Sequence, residues 1–174
     1  MNIIKKLNWD SYFLSLALMV SMKSIDTSTK CGCIFTSKDN SILSTGYNNP
    51  PRKSNDYIVP INIRPDKYLF MEHSERNAIY NAAREGISLK DSTVYITSPP
   101  CIDCFRGILS IGATRMVYFT THNTKMKTYK DYLNDDSYKG IFNISHIQIE
   151  EIDNTSKRYT DTKEILLKLS GLNF

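Results

Sequence analysis

Two short motifs constrain this chain most, because together they can bring metal-binding side chains from distant positions to one place. The motifs are His73-Ser74-Glu75 and Pro100-Cys101-Ile102-Asp103-Cys104. Two cysteines three positions apart share one face of a helix, so both sulfurs can bind the same ion. His73 stands 28 positions before Cys101 (101 − 73), which leaves room for a helix, a turn and a strand. We therefore expect a fold that returns to the same point after one such unit.

Each motif alone has several interpretations. A Cys-x-x-Cys pair in an intracellular protein can be a redox pair or half of a structural zinc site. A redox pair usually opens a thioredoxin-like unit near the N-terminus, whereas Cys101 and Cys104 come late and follow two prolines. A structural zinc site needs a fourth ligand, for which His122 is the candidate. Together the motifs favour a catalytic zinc with three protein ligands, the pattern found in zinc-dependent nucleobase deaminases.

The positions of these residues suit that chemistry. Cys101 follows a proline at a predicted helix start, where free amides and the helix dipole favour a thiolate. Bound zinc can lower the pKa of water from about 15.7 to about 7, which makes hydroxide available at neutral pH. Glu75 lies two positions after His73, so it can face what the metal binds and carry protons as a general acid and base.

Length, charge and cysteine content limit the class of protein. The 174 residues, 41% of them hydrophobic, are enough for one compact domain over 1–174. A net charge of +4 without a run of five basic residues gives no indication of nucleic-acid binding and allows a small anionic substrate. The apolar run Tyr12–Val20 is too short to span a bilayer, and no secretory start precedes it. We therefore expect a cytoplasmic protein with no membrane partner and no stable nucleic-acid partner.

Hydrophobic periodicity and turn signals predict an α/β fold, a three-layer α/β/α arrangement around a mixed five-stranded sheet. The last two strands are predicted to be parallel, because the 23 residues between them allow a crossover. Helices are expected over 9–23, 72–84, 101–111, 125–133 and 162–172, and strands over 31–36, 41–47, 92–98, 114–120 and 144–152.

Three further segments are assigned to packing or surface. The first helix is expected to bury Tyr12, Leu16, Met19 and Val20. Cys31 and Cys33 alternate on a strand and are interpreted as small core residues, with a second metal site as the alternative. Residues 52–70 are interpreted as an irregular surface loop that forms a wall of the pocket.

Several stretches resemble the cytidine deaminase superfamily, and more narrowly the deoxycytidylate (dCMP) deaminases. The resemblance covers most of residues 9–119. His73-Ser74-Glu75-Arg76-Asn77-Ala78-Ile79 is similar to the family's H-A-E-x-N-A-I, and Pro100–Cys104 to its P-C-x-x-C. The remaining matches are Trp9-Asp10, Ser24-Ile25-Asp26, Gly32 and Gly46-Tyr47-Asn48.

This resemblance implies a cytidine-deaminase-like fold and a role for each site residue. Glu75 would be the proton shuttle. Asn48 would hydrogen-bond the sugar or the base edge, and the phosphate would contact the Ser24–Lys30 turn, with Ser24 and Lys30 as candidates. The implied Zn²⁺ ligands are His73, Cys101 and Cys104.

The resemblance also implies a reaction, hydrolytic deamination of dCMP to dUMP and ammonia, which supplies dUMP for thymidylate synthesis. It implies a homo-oligomer, a hexamer or a dimer, with dCTP and dTTP as effectors, although Asn49 replaces the family's glycine in the effector loop. One alternative is the same zinc chemistry on another cytosine or adenine substrate, namely dCTP, modified dCMP, or a base in tRNA or single-stranded DNA. Another is a non-enzymatic zinc-stabilised nucleotide-binding module, in which Glu75 would have no function.

Overall fold

The computed structural model describes residues 7–54, 63, 65–119, 139–141, 145–152, 160 and 162. Among them are three α-helices, five strands and a short 3₁₀ helix, Asp66–Leu69. None of the described helices is long and apolar enough to cross a membrane. The helices are α1 (Trp9–Ser21), α2 (Ser74–Glu85) and α3 (Ile102–Ser110), and the strands are β1 (Gly32–Thr36), β2 (Ile42–Tyr47), β3 (Thr93–Ile96), β4 (Arg115–Phe119) and β5 (Gln148–Ile152).

The five strands form one mixed sheet in the order β2-β1-β3-β4-β5. Strand β1 pairs antiparallel with β2 and β3, whereas β3–β4 and β4–β5 are parallel. This confirms the predicted mixed sheet and its parallel last pair. Strand β5 begins at Gln148, four positions later than expected. The helix predicted over 125–133 and nearly all of that over 162–172 lie outside the described residues, and one domain over 1–174 stays a prediction.

Helices cover both faces of this sheet, which gives the expected three layers. On one face α2 and α3 pack against alternate strand residues, among them Phe35, Val94 and Met116. On the other face α1 packs against Ile34, Tyr95 and Val117. Because successive strand residues point to opposite faces, each central strand is apolar on both sides.

The buried face of α1 differs from the predicted one. Phe13, Leu14 and Ala17 are buried, whereas Tyr12 and Met19 are 40% and 46% exposed. The prediction was therefore wrong at Tyr12 and Met19, whereas Leu16 and Val20 are partly buried against the core. The buried face also includes serines, which the apolar pattern does not indicate. Buried Ser15 and Ser21 donate their hydroxyl hydrogens to carbonyls of their own helix, Ser15 to Ser11 and Ser21 to Leu18, both at 2.7 Å, and so pack without an unpaired polar group.

The segment predicted as an irregular surface loop over 52–70 contains the 3₁₀ helix Asp66–Leu69. Lys67 in this helix is 3% exposed, although a lysine in a loop is expected at the surface. Tyr68 and Leu69 beside it are exposed. The interpretation as a surface loop is therefore wrong at Lys67, whose burial has a specific cause described below.

Candidate metal centre and active site

The start of α2 carries His73 and Glu75, and strand β2 fixes its position. His73 is the N-cap in extended conformation, and Glu75 lies in the first helical turn. Backbone hydrogen bonds of 3.0 and 3.1 Å join Glu72 to Asn49 beyond the end of β2. A Cβ atom on Gly46 would lie 2.3 Å from the carbonyl oxygen of Ser74, so only glycine allows α2 to approach β2 this closely.

The start of α3 carries the two cysteines. Cys101 is the N-cap of α3 in extended conformation, and Cys104 lies in its first turn. The buried residues Pro99 and Pro100 lead from β3 into this helix. Because β3 pairs with β1 in the middle of the sheet, the sheet itself brings the start of α3 beside the start of α2.

Three potential metal ligands converge at these helix starts. Nδ1 of His73 lies 3.4 Å from Sγ of Cys101 and 3.5 Å from Sγ of Cys104. All three ligand atoms lie within 4.8 Å of one another, and among the described residues this is the group that could hold a metal ion. One imidazole and two thiols suit zinc, with a fourth position left for water. The cysteines are free rather than disulfide-bonded. His122, the alternative fourth ligand, lies outside the described residues.

The electrostatics of this group also suit a cation. The pKa of Cys101 is lowered to about 3, first because the Cys104 thiol donates a hydrogen bond to its sulfur, and further by its hydrogen bond with His73. The pKa of Cys104 is raised because it keeps the shared proton, and burial adds to that effect. The hydrogen bond with Cys101 raises the pKa of His73. A thiolate is thus already present at neutral pH, which favours metal binding.

Glu75 lies beside this group in a buried position. It is 5% exposed, and its Oε2 atom accepts a hydrogen bond of 2.8 Å from the Ser74 hydroxyl. Burial raises the pKa of Glu75, although hydrogen bonds and the nearby His73 oppose that effect. A carboxyl group with a raised pKa can both accept and release a proton near neutral pH.

The predicted substrate residues lie around one turn, Ser24–Cys31. Asn48 is 8% exposed, and its Oδ1 atom accepts a hydrogen bond of 2.7 Å from the Cys31 amide while Nδ2 donates one of 2.8 Å to the Thr29 carbonyl. Ser24 is buried, and its hydroxyl accepts a hydrogen bond from the Asp26 amide. Lys30 is exposed and donates to the Ser24 carbonyl. Asn48 and Ser24 thus build the turn, and Lys30 lies on its surface.

Sequence reasoning missed the ion pair beneath this turn. Nζ of Lys67 lies 2.8 Å from Oδ2 of Asp26, and both side chains are about 95% buried. Asp26 stood in the motif matched to the family, and an Asp side chain in a turn often accepts a hydrogen bond from the backbone amide two positions later. That signal predicts the hydrogen bond from the Ser28 amide to Asp26 but does not indicate which distant cation would pair with the carboxylate.

Cys31 and Cys33 lie beside the centre rather than in it. Cys33 is fully buried in the core under α2 and α3. Cys31 is half-buried, 3.6 Å from the Ser98 hydroxyl, and burial raises its pKa to about 11. Both therefore stay protonated at neutral pH, as expected for small core residues, and neither joins a metal-binding group of the described residues.

Comparisons with known proteins agree with this site. The profile of the family described as the cytidine and deoxycytidylate deaminase zinc-binding region matches residues 7–120. A probable deoxycytidylate deaminase of Drosophila melanogaster is 30% identical over 134 residues, and one of Caenorhabditis elegans is 33% identical over 117. These matches include 71% and 66% of this chain, which spans 65% and 58% of the length of the two relatives. Deoxycytidylate deaminase of Enterobacteria phage T2 is 27% identical over 182 residues, which include 82% of this chain and 95% of that protein.

Solved structures agree in fold. The dCMP deaminase of cyanophage S-TIM5, crystallised with dCMP and dUMP, superposes with a TM-score of 0.64 at 22% identity over 85% of this chain and 99% of that one. A bifunctional deaminase/reductase of Thermotoga maritima gives 0.56 at 17% identity over 90% of this chain and 38% of that one. The zinc-binding family profile and the His/Cys/Cys group identify the cofactor as Zn²⁺. The chain therefore belongs to the family of zinc-binding cytidine and deoxycytidylate deaminases.

Proposed function

We propose that this protein hydrolyses dCMP to dUMP, with addition of water at C4 of the cytosine ring and release of ammonia. The observation that carries the proposal is the convergence of His73, Cys101 and Cys104 beside the buried carboxyl group of Glu75. Several relatives bear the name deoxycytidylate deaminase, which supports dCMP as substrate. A structural or purely binding site would have no use for a buried carboxylate held beside the metal.

In this proposal His73 Nδ1 and the sulfurs of Cys101 and Cys104 hold the zinc ion. Zinc, when bound, supplies water whose pKa is lowered to about 7. The three side chains leave one position open, as catalytic zinc sites require. Their placement at two helix starts favours thiolates and so favours the deprotonated state that binding needs.

Glu75 acts as the proton carrier. It takes the proton released when water adds to C4 and delivers it to the ring nitrogen N3. It then takes the proton of the new C4 hydroxyl group and delivers it to the leaving amine, so that C4 becomes a carbonyl and ammonia departs. The hydrogen bond from Ser74 to Oε2 holds the carboxyl group in one orientation, which favours transfer along one path. Its burial keeps bulk water from competing for the proton.

Substrate binding is assigned to the turn and its neighbours. Lys30 carries an exposed ammonium group that can meet the phosphate, and Ser24 adds a polar group at the same turn. Oδ1 of Asn48 accepts one hydrogen bond from Cys31 and has a second lone pair for the sugar or base edge.

We further propose that the protein is a cytoplasmic homo-oligomer, a hexamer or a dimer, regulated by dCTP and dTTP. A cavity of about 450 Å³ beyond the end of β2 supports binding of a polyphosphate, because Arg52, Lys53 and Arg84 contribute to its lining. Assays of the initial rate with added dCTP or dTTP, and sedimentation velocity, test these points. An initial rate that is independent of both nucleotides would refute the proposed regulation. Sedimentation as a monomer would refute the proposed homo-oligomer.

The decisive experiment compares the wild type with Glu75→Gln, which keeps the size of the side chain and removes its proton-carrying ability. We expect the variant to bind zinc and keep its melting temperature but to lose dCMP turnover by about 1,000-fold, within the usual range for general acid–base groups. Glu85→Gln, at the exposed far end of the same helix, is the matched control and should keep its activity.

Substrate choice is tested with dCMP, CMP, dCTP and cytidine on the wild type, by release of ammonia and separation of products. Turnover fastest on dCMP supports the proposal. No turnover on any of the four, or Glu75→Gln as active as the wild type, would refute it. Salt-sensitive binding of RNA or single-stranded DNA, with turnover of a base in that strand, would favour the polynucleotide alternative instead.

A further inference from the structure

The buried ion pair between Lys67 and Asp26 has no role in the chemistry proposed above. Its two charged atoms lie 2.8 Å apart, and the side chains are 4% and 5% exposed. Nζ of Lys67 also donates a hydrogen bond of 2.9 Å to the Ser28 hydroxyl. Removing two charges from water is costly, so a buried pair usually contributes little net stability and suggests a different role.

Asp26 organises the turn Ser24–Cys31, which has neither helix nor strand of its own. Its Oδ1 atom accepts hydrogen bonds from the amides of Ser28 and Thr29, at 2.8 and 3.1 Å, and from the Ser28 hydroxyl at 2.8 Å. Asn48 holds the end of the same turn through Cys31 and Thr29. The conformation of the turn therefore depends on side chains rather than on a regular backbone pattern.

Lys67 reaches this turn from the segment that leads to the metal centre. It lies six positions before His73, in the 3₁₀ helix. The Met71 amide donates to the Lys67 carbonyl at 3.1 Å, and the next residue, Glu72, is bonded to Asn49 through the backbone. One short segment thus carries both the cation under the turn and the imidazole at the metal centre.

We infer that Lys67 is a positioning residue whose ion pair with Asp26 holds the Ser24–Cys31 turn in register with the metal centre and so sets the affinity for the nucleotide substrate. The inference rests on the proposed function, because Ser24 and Lys30 on this turn are the groups proposed to meet the phosphate. The three hydrogen bonds that Asp26 accepts from Ser28 and Thr29 favour the ionised form of its carboxylate. Because this negative charge is buried, it needs a positive partner.

The first test is Lys67→Met, which keeps the length of the side chain and removes the charge. The KM for dCMP and the Kd for dUMP should both rise at least about tenfold, because breaking one side of a buried pair leaves Asp26 uncompensated and displaces the turn. The kcat should change less than about threefold and zinc content should stay at one ion per chain, since the groups that transfer protons and bind metal are unchanged.

A second variant, Lys67→Met with Asp26→Asn, keeps the test valid if the single variant unfolds. It removes both charges, so no charge stays buried without a partner, and the melting temperature should recover towards that of the wild type. The KM and the Kd should stay raised, because methionine cannot donate a hydrogen bond to the Ser28 hydroxyl or to the carboxamide that replaces the Asp26 carboxylate.

Arg115→Met is the matched control. Arg115 forms a partly buried ion pair with Asp10, at 2.8 Å, between β4 and α1 on the other face of the sheet from α2 and α3. This variant should lose stability without a change in KM. Hydrogen exchange gives a readout independent of activity, because the amides of Ser28, Thr29 and Cys31 should exchange faster in the Lys67 variants and not in Arg115→Met.

The outcomes separate the two proposals. If the wild type deaminates dCMP and the double variant recovers the wild-type KM together with its stability, Lys67 has only a structural role and the inference is wrong. If KM rises equally in Arg115→Met, the effect follows stability in general and the inference is also wrong. If the wild type neither deaminates nor binds dCMP or dUMP, the proposed function fails and the inference fails with it.

Discussion

At the scale of single residues, two buried serines differ in what their hydroxyl groups contact. Ser44 on β2 donates a hydrogen bond of 2.7 Å to the Ala78 carbonyl on α2. Ser92, fully buried before β3, has a hydroxyl without a hydrogen-bond partner in the part of the chain that the structure describes. Burying an unpaired hydroxyl costs free energy, whereas a paired one contributes modestly to stability.

We therefore expect opposite effects from the same substitution at these two positions. Ser44→Ala should lower the free energy of unfolding by about 1 kcal/mol, the usual net contribution of one hydrogen bond. Ser92→Ala should leave the free energy of unfolding unchanged or raise it by up to about 1 kcal/mol. Urea unfolding with equal m values measures both. Equal losses in the two variants would contradict the assignment.

Residues at the metal centre were predictable because their identity and spacing already limit the chemistry. The histidine, the glutamate and the two cysteines were chosen from two motifs, and the structure brings their side chains together. Lys67 was not predictable in this way. Its partner Asp26 is 41 positions away, and nothing in the local sequence distinguishes a buried lysine from an exposed one.

At the scale of elements, α2 depends on one glycine for its approach to the sheet. A Cβ on Gly46 would lie 2.3 Å from the Ser74 carbonyl and 2.4 Å from the Ala78 amide, both backbone atoms that cannot move independently. Gly107 in α3 differs, because its Cβ would meet only the end of the Ile79 side chain, at 3.4 Å. The first position excludes a methyl group and the second tolerates one.

Gly46→Ala should therefore destabilise the fold by about 1–3 kcal/mol or more and weaken zinc binding, because α2 must shift and His73 is its N-cap. Gly107→Ala should leave stability unchanged or raise it by up to about 1 kcal/mol, the helix preference of alanine over glycine. Thermal unfolding and zinc titration against a coloured chelator measure both effects. Zinc affinity unchanged in Gly46→Ala would show that α2 does not depend on this contact.

The Ser24–Cys31 turn gives a pH dependence whose sign can be derived. Burial acts to raise the pKa of Asp26, but hydrogen bonds from Lys67, Ser28 and Thr29 outweigh it, so the pKa falls below its usual 3.8. A lowered folded-state pKa contributes stability above the unfolded-state value, and this stability is lost as the pH falls through the folded-state value. The stability contributed by Asp26 is therefore lost below about pH 4.

The free energy of unfolding of the wild type should thus fall more steeply than that of Asp26→Asn as the pH drops from about 4 towards 2. Urea unfolding at a series of pH values gives the two curves. Acid loss of zinc affects both proteins alike, so their difference reports Asp26. Parallel curves would show that the ion pair adds no stability in the folded state.

The hydrophobic pattern of the sequence predicted some elements of the fold better than others. Strands β3 and β4 were located from short apolar runs, because both of their faces are covered and their residues need not alternate. The existence of α1 was predicted, but its buried face was predicted only in part, since Ser11, Ser15 and Ser21 are buried beside Phe13 and Leu14. Periodicity depends on contrast between apolar and polar residues, and buried serines remove that contrast.

At the scale of the whole molecule, the metal centre lies between the starts of α2 and α3, which are far apart in the sequence and are brought together by strand pairing in the sheet. The antiparallel pairing of β2 with β1 sets the start of α2, and the pairing of β1 with β3 sets the start of α3. The mixed sheet and the parallel pairing of its last two strands were predictable, the latter from the length of their connection, whereas the parallel pairing of β3 with β4 was not predicted. The strand order was not predicted, because each connection allows more than one neighbouring position.

A metal that joins two helix starts should stabilise the whole fold, because it would bind the native arrangement of the proposed ligands His73, Cys101 and Cys104 and not an unfolded chain. Free zinc at about 100 times its Kd adds about 2.7 kcal/mol, which corresponds to a rise in melting temperature of about 5–10 °C for a chain of this size. A chelator should lower the melting temperature of the wild type by this amount, and added zinc should restore it.

Two cysteine variants show whether this effect comes from the metal centre. Cys104→Ser removes a fully buried proposed ligand, so its melting temperature should start lower and should no longer respond to the chelator. Cys33→Ser is the matched control, because Cys33 is equally buried but packs in the core outside the group of ligands. It should lose stability and keep its full response to the chelator. Equal chelator responses in the two variants would mean that the zinc ion is bound elsewhere, and the assignment of Cys104 would be wrong.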